Sequence, residues 1–118
     1  MKKIVIIWAS NNPYKFWYKI TKNLLNKNHE LYLVNPKGWK ILWQDVYKNI
    51  SEINNDFEIV NFITQPSVTI KILQDNFEIL KNKTIWCQPG STDLICENYI
   101  AENYSDYIIN SCIMIEKL

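Results

Sequence analysis

Arginine is missing from this 118-residue chain, whose thirteen basic residues are all lysine, and glycine occurs only twice, as Gly38 and Gly90. Asn, Lys and Ile are abundant instead, which is the drift of an A+T-rich genome and says nothing about function. No sign of charge predominates. The formal net charge is +1 and the lysines are scattered, so the basic stripe required by nucleic acid or an anionic membrane is lacking. Histidine occurs once, as His29 in the polar loop NKNHE, where a solvated side chain is expected. Cys87, Cys96 and Cys112 are odd in number and lack C-x-x-C spacing, which argues against a disulfide framework or a metal site and favours a reducing cytoplasm. Long hydrophobic runs are absent too. The start, MKKIVIIWAS, has an apolar run shorter than the core of a signal peptide, and nothing approaches the ~20 apolar residues of a membrane-spanning helix. The expected location is cytoplasmic, with neither nucleic acid nor membrane as partner.

What is present suits one domain spanning residues 1–118, with 47% hydrophobic residues to build its core. Apolar, β-rich runs recur: IVII at 4–7, LYLV at 31–34, FEIVNFI at 57–63, TIWC at 84–87 and DYIIN at 106–110. Helical spacing lies between them, through Trp17, Ile20 and Leu24 and again through Ile70, Leu73, Phe77 and Leu80. The segment from Ile41 to Ile53 reads as a short strand near Val46 and a brief helical turn. Pro13, Pro36, Pro66 and Pro89 each follow a strand, and Ser67 and Ser91 are placed to cap the next helices. Alternating strands and helices, with strands apolar almost throughout, predict a doubly wound α/β domain: a mostly parallel sheet of about five strands with helices on both faces.

In such a sheet ligands bind beyond the carboxyl ends of the strands, where strand order reverses. Four loops therefore form the candidate site: WASNNPYK, NPKGW, TQPS and CQPGS. The first leads into a helix whose free amides favour an anion, with Ser10 and Asn12 able to add hydrogen bonds and Lys15 a charge. The second reads Asn35-Pro36-Lys37 where a nicotinamide-dinucleotide site usually carries an acid for the ribose hydroxyls. A lysine there suits a phosphorylated ribose, as in NADP or coenzyme A; a surface turn with a solvated lysine is the plainer alternative. For catalysis the chain offers neither a Ser/His/Asp set nor paired carboxylates in these loops, so binding without chemistry is expected. Cys87 and Cys112 lie at or near strand ends and are expected to be small buried apolar residues, thiols beside a ligand being the minor variant.

The segments ASNNPYK, LVNPKG, ITQPSV, WCQPGS and NSCIMIE, in that order, resemble the small stand-alone CoA-binding proteins. This Rossmann-like family is related to the CoA-binding domain of succinyl-CoA ligases and ADP-forming acyl-CoA synthetases. The resemblance implies that CoA or an acyl-CoA is the ligand. Its pyrophosphate would lie on the first loop, where Ala9 and Ser10 match and Asn12, Pro13 and Lys15 follow, and its adenosine against Asn35, Pro36 and Lys37. Gln65 and Pro66 match a loop that closes over the nucleotide, without the arginine the family often has nearby, and Gln88 and Gly90 match the loop after the TIWC strand. A separately encoded synthetase subunit is an implied partner. The alternatives are an NADP-binding or synthetase-type enzyme subunit, and a degenerate scaffold that has lost its nucleotide.

The scaffold alternative arises because family members usually have glycine where this chain has Trp8, Trp17 and Trp43. Glycine at such places allows close approach to phosphate, close packing of helix on strand, or a positive φ. A real indole at Trp8 is expected where the pyrophosphate would lie. Three replacements by the same rare residue, with glycine scarce elsewhere, favour a UGA codon read as glycine in the organism's own code and written here as tryptophan. A divergent protein in which Trp17 anchors the core is the other reading.

Overall fold

The computed structural model describes residues 1–8, 17–36 and 45–116. The elements follow the order β1 (Lys3–Trp8), α1 (Trp17–Asn26), β2 (Glu30–Val34), β3 (Val46–Tyr47), β4 (Ile59–Ile63), α2 (Pro66–Asp75), α3 (Phe77–Leu80), β5 (Thr84–Cys87), α4 (Leu94–Asn103) and β6 (Tyr107–Ile109). Short 3-10 turns stand at Ile50–Glu52 and Ile113–Ile115. The strands form one parallel sheet in the order β3-β2-β1-β4-β5-β6. Every described apolar run becomes a strand, and the weak one at Val46–Tyr47 supplies a sixth at the edge beside β2.

Parallel strands require covered faces, because each crossover carries a helix back over the sheet. The apolar β1 meets that requirement: Ile4, Val5, Ile6 and Ile7 are fully buried, with β2 on one side and β4 on the other. Alternate residues feed two cores. Ile4, Ile6 and Trp8 pack with Trp17, Ile20 and Leu24 of α1, whereas Val5 and Ile7 pack with Leu73, Leu80 and Ile100 from the helices of the opposite face. No helix among the described residues is long and apolar enough to cross a membrane.

Several local expectations are corrected. Ser67 does not cap α2, because Pro66, whose fixed φ suits the first helical position, makes Gln65 the cap residue and leaves Ser67 inside the helix. Ser91 does not cap α4 either: its hydroxyl donates to the Gln88 carbonyl at 2.7 Å, and Asp93 caps by accepting from the Cys96 amide at 2.8 Å. The apolar spacing through Ile70 and Leu80 covers two helices, broken at Asn76, where φ is −120° and ψ is 27°.

His29 is not a solvated loop residue but is buried, and its Nδ1 accepts the Lys2 amide hydrogen at 2.9 Å. That bond ties the chain start to the turn before β2, and burial, with the positive charges of the N-terminus, Lys27 and Lys2, lowers the pKa below 6.5. Folding thus disfavours the imidazolium. Stability is complete above the unfolded pKa and declines as pH falls below it toward the lower folded value. The urea midpoint is expected to fall between about pH 7 and pH 5.5, and a His29→Asn variant to lose that slope; a wild-type midpoint flat across this window would contradict the assignment.

Candidate functional site

The carboxyl ends of all six strands lie along one edge, and strand order reverses between β1 and β4. A groove of about 590 Å³ opens beside that reversal, on the face of α2. Ile7 and Val34 form its floor. Pro36, Lys48, Asn49 and Ile50 line one wall, and α2 supplies the other with Ser67, Val68, Lys71 and Ile72, ending at Asp75 and Asn76. The partly exposed Pro36, Val68 and Ile72 suit a flat heterocycle, and the polar rim suits a ribose and phosphate.

The sequence-predicted residues divide among three places. Pro36 lines the groove, and Pro66 stands at the start of the helix that forms its far wall. Asn35 is buried behind Pro36, its amide donating to the Tyr47 carbonyl at 2.9 Å and so joining the ends of β2 and β3. Gln65 is exposed at the same edge, and its carbonyl accepts the Val68 and Thr69 amides, both at 2.9 Å. Ala9, Ser10, Asn12, Pro13, Lys15 and Lys37 lie outside the described residues, as does Trp43.

The other two matched positions serve the loop after β5. Gln88 is buried, and its Oε1 accepts from Asn61 Nδ2 at 3.0 Å and from the Ile113 amide at 2.8 Å, pinning the C-terminal turn to the sheet. Gln88 Nε2 and Asn61 Oδ1 keep no partner among the described residues. Gly90 has φ +87°, and the Ser91 amide donates to the Gln88 carbonyl at 3.0 Å, which is a Pro-Gly turn that no residue with a Cβ adopts without strain. Cys87 is fully buried and burial pushes its thiol up to about 12; Cys96, likewise buried, is raised to about 11. Neither is a thiolate near neutral pH, so Cys112, half-buried beyond β6, is the accessible one.

Sequence reasoning missed Lys48, Ser67 as a wall residue, and Lys71. A usable signal existed for two of them: Ser67 and Lys71 are four apart on α2 and share its groove face. Lys48 follows a two-residue strand that carries too little periodicity to orient it.

Trp8 departs from the expected position. Its indole is fully buried beneath α1 and stacks on Trp17 with ring centroids 4.3 Å apart and planes 9° from parallel, instead of projecting beyond the sheet edge. Two of the positions read as lost glycines are therefore partners. Neither residue has a positive φ, so no left-handed backbone calls for glycine at either position. The stack contributes about 0.5–1.5 kcal/mol beyond burial. Against it, both indole N–H groups are buried without a hydrogen-bond partner among the described residues, at about 1–3 kcal/mol each. Apolar burial, rather than polar fit, retains the pair.

Residues 2–117 match the CoA binding domain family. The chain belongs to that family. It is 31% identical over 74 residues to the ADP-forming acetate–CoA ligase of Methanocaldococcus jannaschii, an alignment covering 63% of this chain. The chain spans about a tenth of the length of that curated relative (10%). A conserved hypothetical protein of Pyrococcus furiosus is similar in structure over 99% of this chain and 100% of its own, with a TM-score of 0.87 and 29% identity. A hypothetical protein of Pyrococcus horikoshii covers 96% of this chain, with 79% of its own length aligned, a TM-score of 0.82 and 25% identity.

The shared indole volume makes the two tryptophans energetically coupled. Trp8→Gly or Trp17→Gly alone leaves half a stack and is expected to lower stability by about 3–5 kcal/mol. The double variant is expected to lose clearly less than the sum, because α1 closes onto β1 only when both rings are gone. Chemical denaturation of the three variants checks this, and strictly additive losses would contradict the coupling.

Proposed function

We propose that this chain binds coenzyme A or an acyl-CoA without transforming it. The adenosine half occupies the groove between Pro36 and the first turns of α2, and the pyrophosphate lies at the loop after β1, held by backbone amides with Ser10, Asn12 and Lys15. One observation carries the reading: in a chain of the CoA-binding domain family, the groove with an apolar floor opens where strand order reverses. Asn35 holds the turn that presents Pro36, Gln65 and Pro66 set the start of the opposing helix, and Gln88 with Gly90 shapes the loop after β5. The ligand-binding unit is one cytoplasmic domain.

A synthetase-type role, with a separately encoded subunit supplying the chemistry, is the companion reading. The match to a segment of an ADP-forming acetate–CoA ligase favours it. The chemistry of such an enzyme would reside outside the segment matched here.

The native residues at 8, 17 and 43 are glycine in this proposal, through UGA read as glycine. Support comes from the two buried indole N–H groups without partners, which native cores seldom retain. The rival is a scaffold without a nucleotide, favoured by how completely Trp8 and Trp17 fill the space under α1.

Calorimetric titration of CoA, with NADP in parallel, into the chain as written and into a Trp8→Gly/Trp17→Gly/Trp43→Gly variant tests the proposal. CoA binding by the glycine form, and weaker or no binding by the tryptophan form, is the expected result. Binding by neither folded form would leave the scaffold as the better description, and preference for NADP would overturn the ligand assignment.

A further inference from the structure

The groove carries charges that the sequence reading assigned to no ligand. Lys48 directly follows β3 at the carboxyl edge of the sheet, and Lys71 stands on α2 one turn beyond Ser67. They line opposite walls of the same groove. Other lysines of the described residues serve the amino edge or helix surfaces: Lys2 pairs with Glu58, Lys83 with Asp56 and Lys81 with Glu78. Lys48 makes no ion pair among the described residues.

The other charged lining residue among those described is Asp75, whose carboxylate pairs with Lys71 at 3.1 Å while both side chains are largely exposed, Lys71 at 75% and Asp75 at 58%. A solvated pair at this i,i+4 spacing is weak, so a phosphate competes for the ammonium at little cost. Among the described lining residues, two lysines stand against one aspartate, a positive balance. Pro36, Val68 and Ile72, which line the groove and keep part of their surface exposed, offer an apolar face to a base. A monophosphate on the ribose of that nucleoside would then be drawn to the rim, between the two ammonium groups.

We propose that Lys48 and Lys71 recognise a monophosphate on the ribose of a bound adenosine, and so make the groove prefer nucleotides that carry it over those that lack it. This phosphate is 3′ in CoA and 2′ in NADP, and the inference rests on the adenosine half occupying the groove as proposed above. Lys48 and Lys71 are specificity residues in this arrangement, and the apolar walls of Pro36, Val68 and Ile72 supply the affinity common to both kinds of ligand.

The test is calorimetric titration with four probes, CoA, 3′-dephospho-CoA, NADP and NAD, using whichever form of the full chain binds CoA. The same probes are then applied to Lys48→Met, Lys71→Met and the control Lys81→Met. CoA is expected to bind about tenfold more tightly than 3′-dephospho-CoA. Each groove variant should shrink that ratio by weakening CoA alone, and the control should keep it. If NADP exceeds NAD while the two CoA forms are equal, the recognised phosphate is the 2′ one. Equal binding within both pairs, or a ratio unmoved by Lys48→Met and Lys71→Met, would overturn the inference while leaving CoA binding intact. No binding of CoA by any folded form overturns the parent reading and this one together.

Discussion

The central strand β1 is held by parallel hydrogen bonding on both sides, to β2 and to β4, and is buried on both faces. Its sequence permits this because Ile4 through Ile7 present an apolar side chain to each face in turn. Two consequences follow. The sheet must be covered by α1 on one face and by α2 and α4 on the other, and the chain leaving β1 must emerge where strand order reverses. The groove lies between the end of β3 with the 3-10 turn after it and α2, above the buried Ile7 and Val34.

Trp8 is where the demands of packing and of ligand binding meet. As the last residue of β1 it sits directly before the candidate phosphate loop, and as a member of the α1 core it fixes how near that helix lies to the sheet. Stacked on Trp17, it acts as a spacer between strand and helix. Small residues at both positions would bring α1 closer, which matters for an anion site built from the amides between them. If the proposed CoA site is right, the tryptophans would bear on it through the spacing of two elements more than through a blocked surface.

Much of the fold was legible because its strands are nearly continuous apolar runs and its turns carry proline. Even the two-residue β3 was marked by Val46. Less legible were features decided by partners distant in sequence. His29 reads as polar loop until the Lys2 amide meets its ring, and Ser67 and Ser91 read as caps until Pro66 and Asp93 take the positions that matter. Of the groove lining, Pro36 was marked by its place in the turn after β2, and the lysines were not, because which wall a lysine faces depends on how α2 and β3 dock. The stacking of Trp8 on Trp17 was hidden for the same reason, although each was singled out separately.

The most direct measurement is a crystal structure of the Trp8→Gly/Trp17→Gly/Trp43→Gly chain grown with saturating CoA. The account predicts the adenosine between Pro36 and the Ser67–Val68 turn, and the pyrophosphate over the end of β1. CoA seated elsewhere on the protein, with the groove left empty, would contradict it.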